Sequence, residues 1–144
     1  MPARGNKNLS RIMAPPQPKA WEIIPSGFGG SAPEYAIFWA FEKLGYKDGV
    51  NFFYQSPFAG GRYLAGGGIL DFWVPDLMLG IRVQGIYWHY GRGADTIAYD
   101  RLQRIQLQGL GNTVIDIDED AAMANPIGIL RDALNGIDKS RGKK

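Results

Sequence analysis

Two short apolar runs with a four-residue break between them constrain this chain more than any other feature. Residues 69–74 read Ile-Leu-Asp-Phe-Trp-Val and residues 79–85 read Leu-Gly-Ile-Arg-Val-Gln-Gly, joined by Pro75-Asp76-Leu77-Met78. Runs of this length, rich in branched and aromatic residues and bounded by Pro and Gly, form strands. A Pro-Asp break joins neighbouring strands as a hairpin. One carboxylate, Asp71, interrupts the first run, where ionised oxygen is costly unless it is paired or bound.

The elements on either side follow from periodicity and punctuation. Ser31-Ala-Pro33-Glu34 has a helix-capping residue, an early Pro and a Glu three residues after the Ser, the pattern of a capping box. The helix it opens runs to about Leu44, with Ile37, Phe38, Phe41 and Leu44 at three- and four-residue spacing and Gly45 as the stop. Residues 50–55 read as a strand, and the glycine-rich 57–68 as a turn. Residues 90–95 form a polar loop, 96–110 a helix stopped by Gly111-Asn112, and 113–117 a strand. An acidic turn at Asp118-Glu119-Asp120 follows, and then a last helix over about 126–134. Trp21 to Ile24 reads as a short pinned strand. Helix, three strands, helix, strand, helix is the order of an α/β domain with helices packed on a sheet.

Length and charge bound the rest. With 144 residues and 45% hydrophobic residues the chain makes one domain with a real core. Cys is absent, which excludes disulfides, thiolate nucleophiles and Cys-based zinc. No apolar run suits a membrane helix and no apolar leader opens the chain. A net charge of +2 conceals an asymmetry. The first nineteen residues and the last seven hold eight of the sixteen basic residues and one of the fourteen acids, so the segment between them is net acidic. Three parts result: a basic, Pro/Gly-rich arm over 1–30, a domain over 31–136 and a basic tail over 137–144. Basic tails on an acidic body fit contact with a polyanion, and equally they serve solubility.

Several residues could carry chemistry. Asp71 is a candidate metal ligand, or a strand residue facing solvent. His89, the only histidine, follows Tyr87-Trp88 at the end of an apolar run. It could move a proton near neutral pH, or be a packed core histidine. Asp100 opens a helix, where the dipole favours a carboxylate in any role and where it could orient His89. Glu34 could serve the same site, or only the capping box. Arg82 and Gln84 share one strand face with Val83 opposite. Gln55 and Arg62 could touch phosphate, Arg82 and Gln84 are candidate nucleic-acid contacts, and Trp88, with Trp73, Tyr87 and Tyr90, could stack on bases.

Taken together these residues match a family. Asp71-Phe72, the run ending Gly85-Ile-Tyr-Trp-His89, and Asp100-Arg-Leu-Gln-Arg-Ile-Gln-Leu-Gln-Gly-Leu-Gly111 followed by a strand resemble the very short patch repair endonucleases and related small members of the PD-(D/E)xK restriction-endonuclease-like superfamily. The Pro33-Glu34 helix and the Phe-Tyr-Gln55 strand fit the same pattern, so the likeness covers residues 31–120. It implies a restriction-endonuclease-like core, a mixed central β-sheet flanked by helices. It implies a Mg²⁺ or Mn²⁺ ion held by Asp71 and the backbone carbonyl of Val83. His89 is implied as the catalytic base, Asp100 as its support and Glu34 as an acid near the metal's waters.

The chain departs from the family in places. Most members have an acid, one spacer and a Lys on the second strand, where this chain has Arg82-Val83-Gln84. The short patch enzymes have histidine where Gln84 stands and hold a structural zinc; no zinc is expected here, because Cys is absent and His89 is the only histidine, so mismatch recognition does not carry over.

The expectation is a metal-dependent DNA endonuclease or nickase of the cytoplasm of a bacterial or phage-infected cell, acting alone, as a homodimer or in a larger nucleoprotein assembly. A second reading is a nuclease fold without activity, kept as a nucleic-acid-binding or assembly subunit, virion-associated among other places. Arg82, a cation beside the metal site, favours that second reading. A third is a small structural protein whose basic tails thread into RNA or a larger complex.

Overall fold

The structure, a computed structural model, describes residues 16–55, 70–85 and 111–141. The predicted turn at 57–68, the loop at 90–95 and the helix at 96–110 lie outside the described residues. So do His89, Asp100, Arg62 and Trp88.

Helix α1 spans Ala32–Lys43, with Ser31 as N-cap accepting the Glu34 N–H and Pro33 in the first turn. Gly45 beyond it has φ +93, a left-handed conformation that closes a helix without strain on a Cβ. Among the described residues four strands follow: β1 (Phe53–Tyr54), β2 (Phe72–Val74), β3 (Leu79–Gln84) and β4 (Thr113–Asp118). Helices α2 (Glu119–Ala124) and α3 (Pro126–Leu134) end the fold. The sheet order is β1-β2-β3-β4, antiparallel from β1 to β3 and parallel between β3 and β4. This is a mixed sheet in an α/β fold. The hairpin read from Pro75-Asp76 is present as a 3₁₀ turn, Pro75–Leu77, closed by Met78 at φ +50.

The core lies on one face of the sheet. Leu79 and Ile81 of β3, Ile115 and Ile117 of β4, and Phe72 and Val74 of β2 point to that face. There they meet Ile37, Ala40 and Phe41 of α1, Ala122 of α2, and Leu130 and Ala133 of α3. Strand alternation sends Trp73, Arg82, Val114 and Asp116 to the other face. Val114 and Trp73 pack there with Leu70. The centre of the core is aromatic: Phe41 stacks on Phe52 at 4.2 Å and 6°, and Phe72 lies 5.3 Å from Phe41. Among the described residues no helix is long and apolar enough to cross a membrane.

Local hydrogen bonding changes three of the expected elements. Residues 20–22 form a 3₁₀ turn instead of a strand, because the Trp21 indole N–H donates to the Met123 carbonyl at 2.7 Å and its ring packs 4.9 Å from Trp39. The strand expected over 50–55 is paired in the sheet only from Phe53. Before it, Asn51 accepts the Lys47 N–H and Asp48 accepts the Tyr54 N–H, which folds 47–51 into turns. The acidic turn at 118–120 is the end of β4 and the first turn of α2, where Glu119 and Asp120 suit the helix dipole.

Parts of the segments assigned to the arm and the tail pack on the domain. Trp21 does so at α1, and Phe28 lies 5.6 Å from Phe38. At the other end Asp138 accepts the Asp116 N–H on β4, and Arg141 holds Asp118 and Asp120 at 3.1 Å.

Phe41→Ala should destabilise the protein by about 3–5 kcal/mol, because the ring is fully buried and its removal leaves a cavity between helix and sheet. Urea denaturation checks this, and a loss below about 1 kcal/mol would show that the helix does not rest on that stack.

Candidate functional site

Asp71 stands one residue before β2, where the first strand of the hairpin enters the sheet. Leu70, just upstream, lies flat over Gly80 of β3. A Cβ on Gly80 would come within 2.6 Å of a Leu70 methyl, so the glycine permits this approach. On one side the Gln55 N–H donates to the Asp71 carbonyl at 2.6 Å, extending the β1–β2 ladder by one bond. Gln55 then turns away in a left-handed conformation, φ +55. On the other side the Asp71 carboxylate takes over from the ladder, its Oδ2 accepting the Val83 N–H at 2.7 Å. The aspartate is thus tied to β1 through its backbone and to β3 through its side chain.

Its charge is unfavourable where it sits. Desolvation pushes the Asp71 carboxyl up to about 7, opposed by the Val83 N–H, reinforced by the negative field of Glu34 and eased by Arg82. A carboxylate held in this condition with a second carboxylate nearby gains from a cation.

Glu34 departs from the capping box that its spacing predicts. Ser31 caps the Glu34 N–H, but the Glu34 carboxylate does not return to the Ser31 backbone. One oxygen accepts the Ser31 hydroxyl at 3.2 Å. The other accepts the Tyr54 hydroxyl and, at 3.3 Å, the Gln55 side-chain amide. The Gln55 amide also lies 3.0 Å from the Tyr54 hydroxyl oxygen. Tyr54 is boxed by Phe28, stacked at 5.1 Å, and by Phe38 and Phe72. Desolvation first, then Glu34, pushes its hydroxyl above the usual phenol range, so it stays a donor. Gly30 closes over the pair: a Cβ there would run into the Tyr54 hydroxyl and come within 2.8 Å of Glu34 Oε1.

The remaining expected site residues divide. Val83 presents its side chain to the core and its N–H to Asp71. Gln84 is half-buried at the end of β3. Arg82, expected among the nucleic-acid contacts, is 7% exposed and paired with Asp116, Nε to Oδ1 at 3.0 Å. The physical reason is register: Arg82 faces Asp116 across the parallel β3–β4 pair, and a guanidinium withdrawn from water needs that carboxylate. Its charge is therefore turned to Asp116. Trp73 packs beside Leu70 and Val114.

The structure brings Glu34, Gln55, Asp71 and the Val83 backbone to one region, at the start of β2, where it is flanked by the end of β1 and by β3. Tyr54 belongs with them and was not singled out from sequence. Its neighbour Gln55 reaches the same carboxylate because it leaves the strand in a left-handed conformation instead of alternating to the opposite face. Glu119, by sequence an acid of the turn at 118–120, opens α2. The β3–β4 register carries it beside Gly85, where a Cβ would meet its Oε2 at 3.1 Å.

Oxygen donors of this kind suit a hard divalent cation. Among the described residues no three acidic or imidazole side chains converge as a metal cluster. One or two carboxylates with a carbonyl and waters are the usual set for Mg²⁺, and Asp71 with Val83 is of that type.

Without divalent cation, wild-type stability should fall as pH rises from about 4 to about 7. The unfolded Asp71 ionises near its ordinary 3.8 while the folded carboxyl holds its proton to about 7, so the stabilising proton is lost across that window. Asp71→Asn keeps an acceptor for the Val83 N–H and removes the charge. It should be more stable than wild type at pH 8, with the gap closing near pH 4. Chemical denaturation in EDTA at several pH values checks this, and parallel profiles would refute it.

The chain matches no protein-family model, no curated protein and no solved structure.

Proposed function

We propose that this chain is a divalent-metal-dependent DNA endonuclease or nickase of restriction-endonuclease-like type. The observation that carries the reading is Asp71: a desolvated carboxylate, hydrogen-bonded to the β3 backbone at Val83 and within the field of Glu34. The α/β fold with a mixed sheet is compatible with the family likeness seen in the sequence. Asp71 and the Val83 carbonyl would hold Mg²⁺ or Mn²⁺, which when bound would polarise the scissile phosphate.

The chain's own groups do the rest. His89 takes a proton from the attacking water, and Asp100 orients His89. Glu34, gripped by Tyr54 and Gln55, stands as a fixed acceptor beside Asp71. Gln55, Gln84, Arg62 and Trp88 are the proposed contacts to DNA, and the basic termini add sequence-independent attraction. The site of action on this reading is the cytoplasm of a bacterial or phage-infected cell, with a homodimer or larger assembly as the form that cuts both strands.

A second reading keeps the fold and drops the catalysis, leaving a nucleic-acid-binding or assembly subunit, as in a viral particle. It is favoured by the Arg82-Asp116 pair, which puts a structural ion pair on β3 where most members of the superfamily have an acid.

Relaxation of supercoiled plasmid with Mg²⁺ and with Mn²⁺ separates the two. The endonuclease reading expects metal-dependent nicking in wild type and a loss of at least about 100-fold in Asp71→Ala and in His89→Ala. Salt-sensitive DNA binding from a folded protein, with no cleavage in either metal, would overturn it in favour of the second reading.

A further inference from the structure

Glu34 had a simpler place to be. Its spacing from Ser31 is that of a capping box, and the half of the box that needs Ser31 Oγ is formed. The other half is missing because the carboxylate is drawn to the end of β1 by Tyr54 and Gln55. That diversion is built, not incidental. Phe28, Phe38 and Phe72 fix the Tyr54 ring, and Gly30 supplies the space in which hydroxyl and carboxylate meet.

We infer that Tyr54 is a positioning residue of the cation site, its hydroxyl holding Glu34 away from the helix cap and toward Asp71. This rests on the metal-site reading above. Without the hydroxyl, Glu34 falls back to the Ser31 N–H, the position that the sequence pattern offers it. The helix end then gains the bond it lacks, and the cation loses Glu34, the carboxylate whose field reaches Asp71. Tyr54→Phe is therefore expected to leave the fold intact while weakening the site. Gln55 alone does not substitute, because its amide is 3.3 Å from the carboxylate and is shared with the Tyr54 oxygen.

The test is Mn²⁺ binding to the full chain, followed by the loss of the free-ion electron paramagnetic resonance signal, with thermal melts alongside. Wild type, Asp71→Asn, Glu34→Gln, Tyr54→Phe and the Tyr54→Phe/Glu34→Gln double variant are compared. Positioning partners of metal-site groups are typically worth about 10–100-fold in affinity. Tyr54→Phe should weaken Mn²⁺ binding about 10-fold with an unchanged melting temperature. The double variant should bind no more weakly than Glu34→Gln alone, since the hydroxyl acts only through Glu34. Wild-type affinity in Tyr54→Phe, or additive losses in the double variant, would overturn the inference while Asp71-dependent binding kept the metal site standing. Failure of Asp71→Asn to reduce Mn²⁺ binding would overturn both. Intact Mn²⁺ binding with this pattern and no nicking would sink the endonuclease reading and leave the role of Tyr54 in place.

Discussion

The face-to-face contact of Phe41 with Phe52 is the interaction on which the described structure hangs. It sets the height of α1 above the sheet. Phe72 of β2 completes the contact, and Phe38, one turn back on the helix, carries the packing to Tyr54. Because α1 is rigid, fixing Phe41 and Phe38 also fixes Glu34 at its first turn. The aromatic core and the acidic region are thus one construction: the rings that exclude water from the core also set where a carboxylate stands relative to Asp71.

The second constraint is the way β2 meets β3. The backbone ladder runs from Val74–Leu79 to Phe72–Ile81, and there a side chain replaces it. A strand edge that ends in a carboxylate instead of a carbonyl exchanges a neutral hydrogen bond for a charged acceptor in a desolvated place. That exchange weakens the fold near neutral pH, where the desolvated carboxyl gives up its proton. Arg82 shows the opposite solution one residue away. Its charge is satisfied by Asp116 across the parallel strand pair, and Asp138 accepts the backbone N–H of that same residue. Segments that look like solvated tails in composition therefore help hold β4.

Sequence pattern made much of the scaffold legible. The Ser31 cap and Gly45 stop bound α1, the Pro75-Asp76 break gives the hairpin, and residues 126–134 form α3 as their punctuation implies. These are local effects, decided within one turn of helix or one chain reversal. Trp21, Asn51 and Asp48 escaped the same reading. What they do depends on an indole reaching Met123 and on side chains accepting backbone N–H groups several residues away. Propensity carries no record of such partners.

The same division runs through the site. The sequence by itself determined that Asp71 interrupts an apolar strand, that Glu34 opens a helix, and that Gln55 ends a strand, since each follows from spacing and residue type. Only the tertiary structure decided that Glu34 abandons its capping box for Tyr54, that Asp71 is tied to Val83 and pushed up by desolvation, and that Arg82 is committed to Asp116. These outcomes turn on strand register and on the withdrawal of particular charges from water. Both are set by residues far apart in the chain, and burial changes the energy of a charge more than any local preference does.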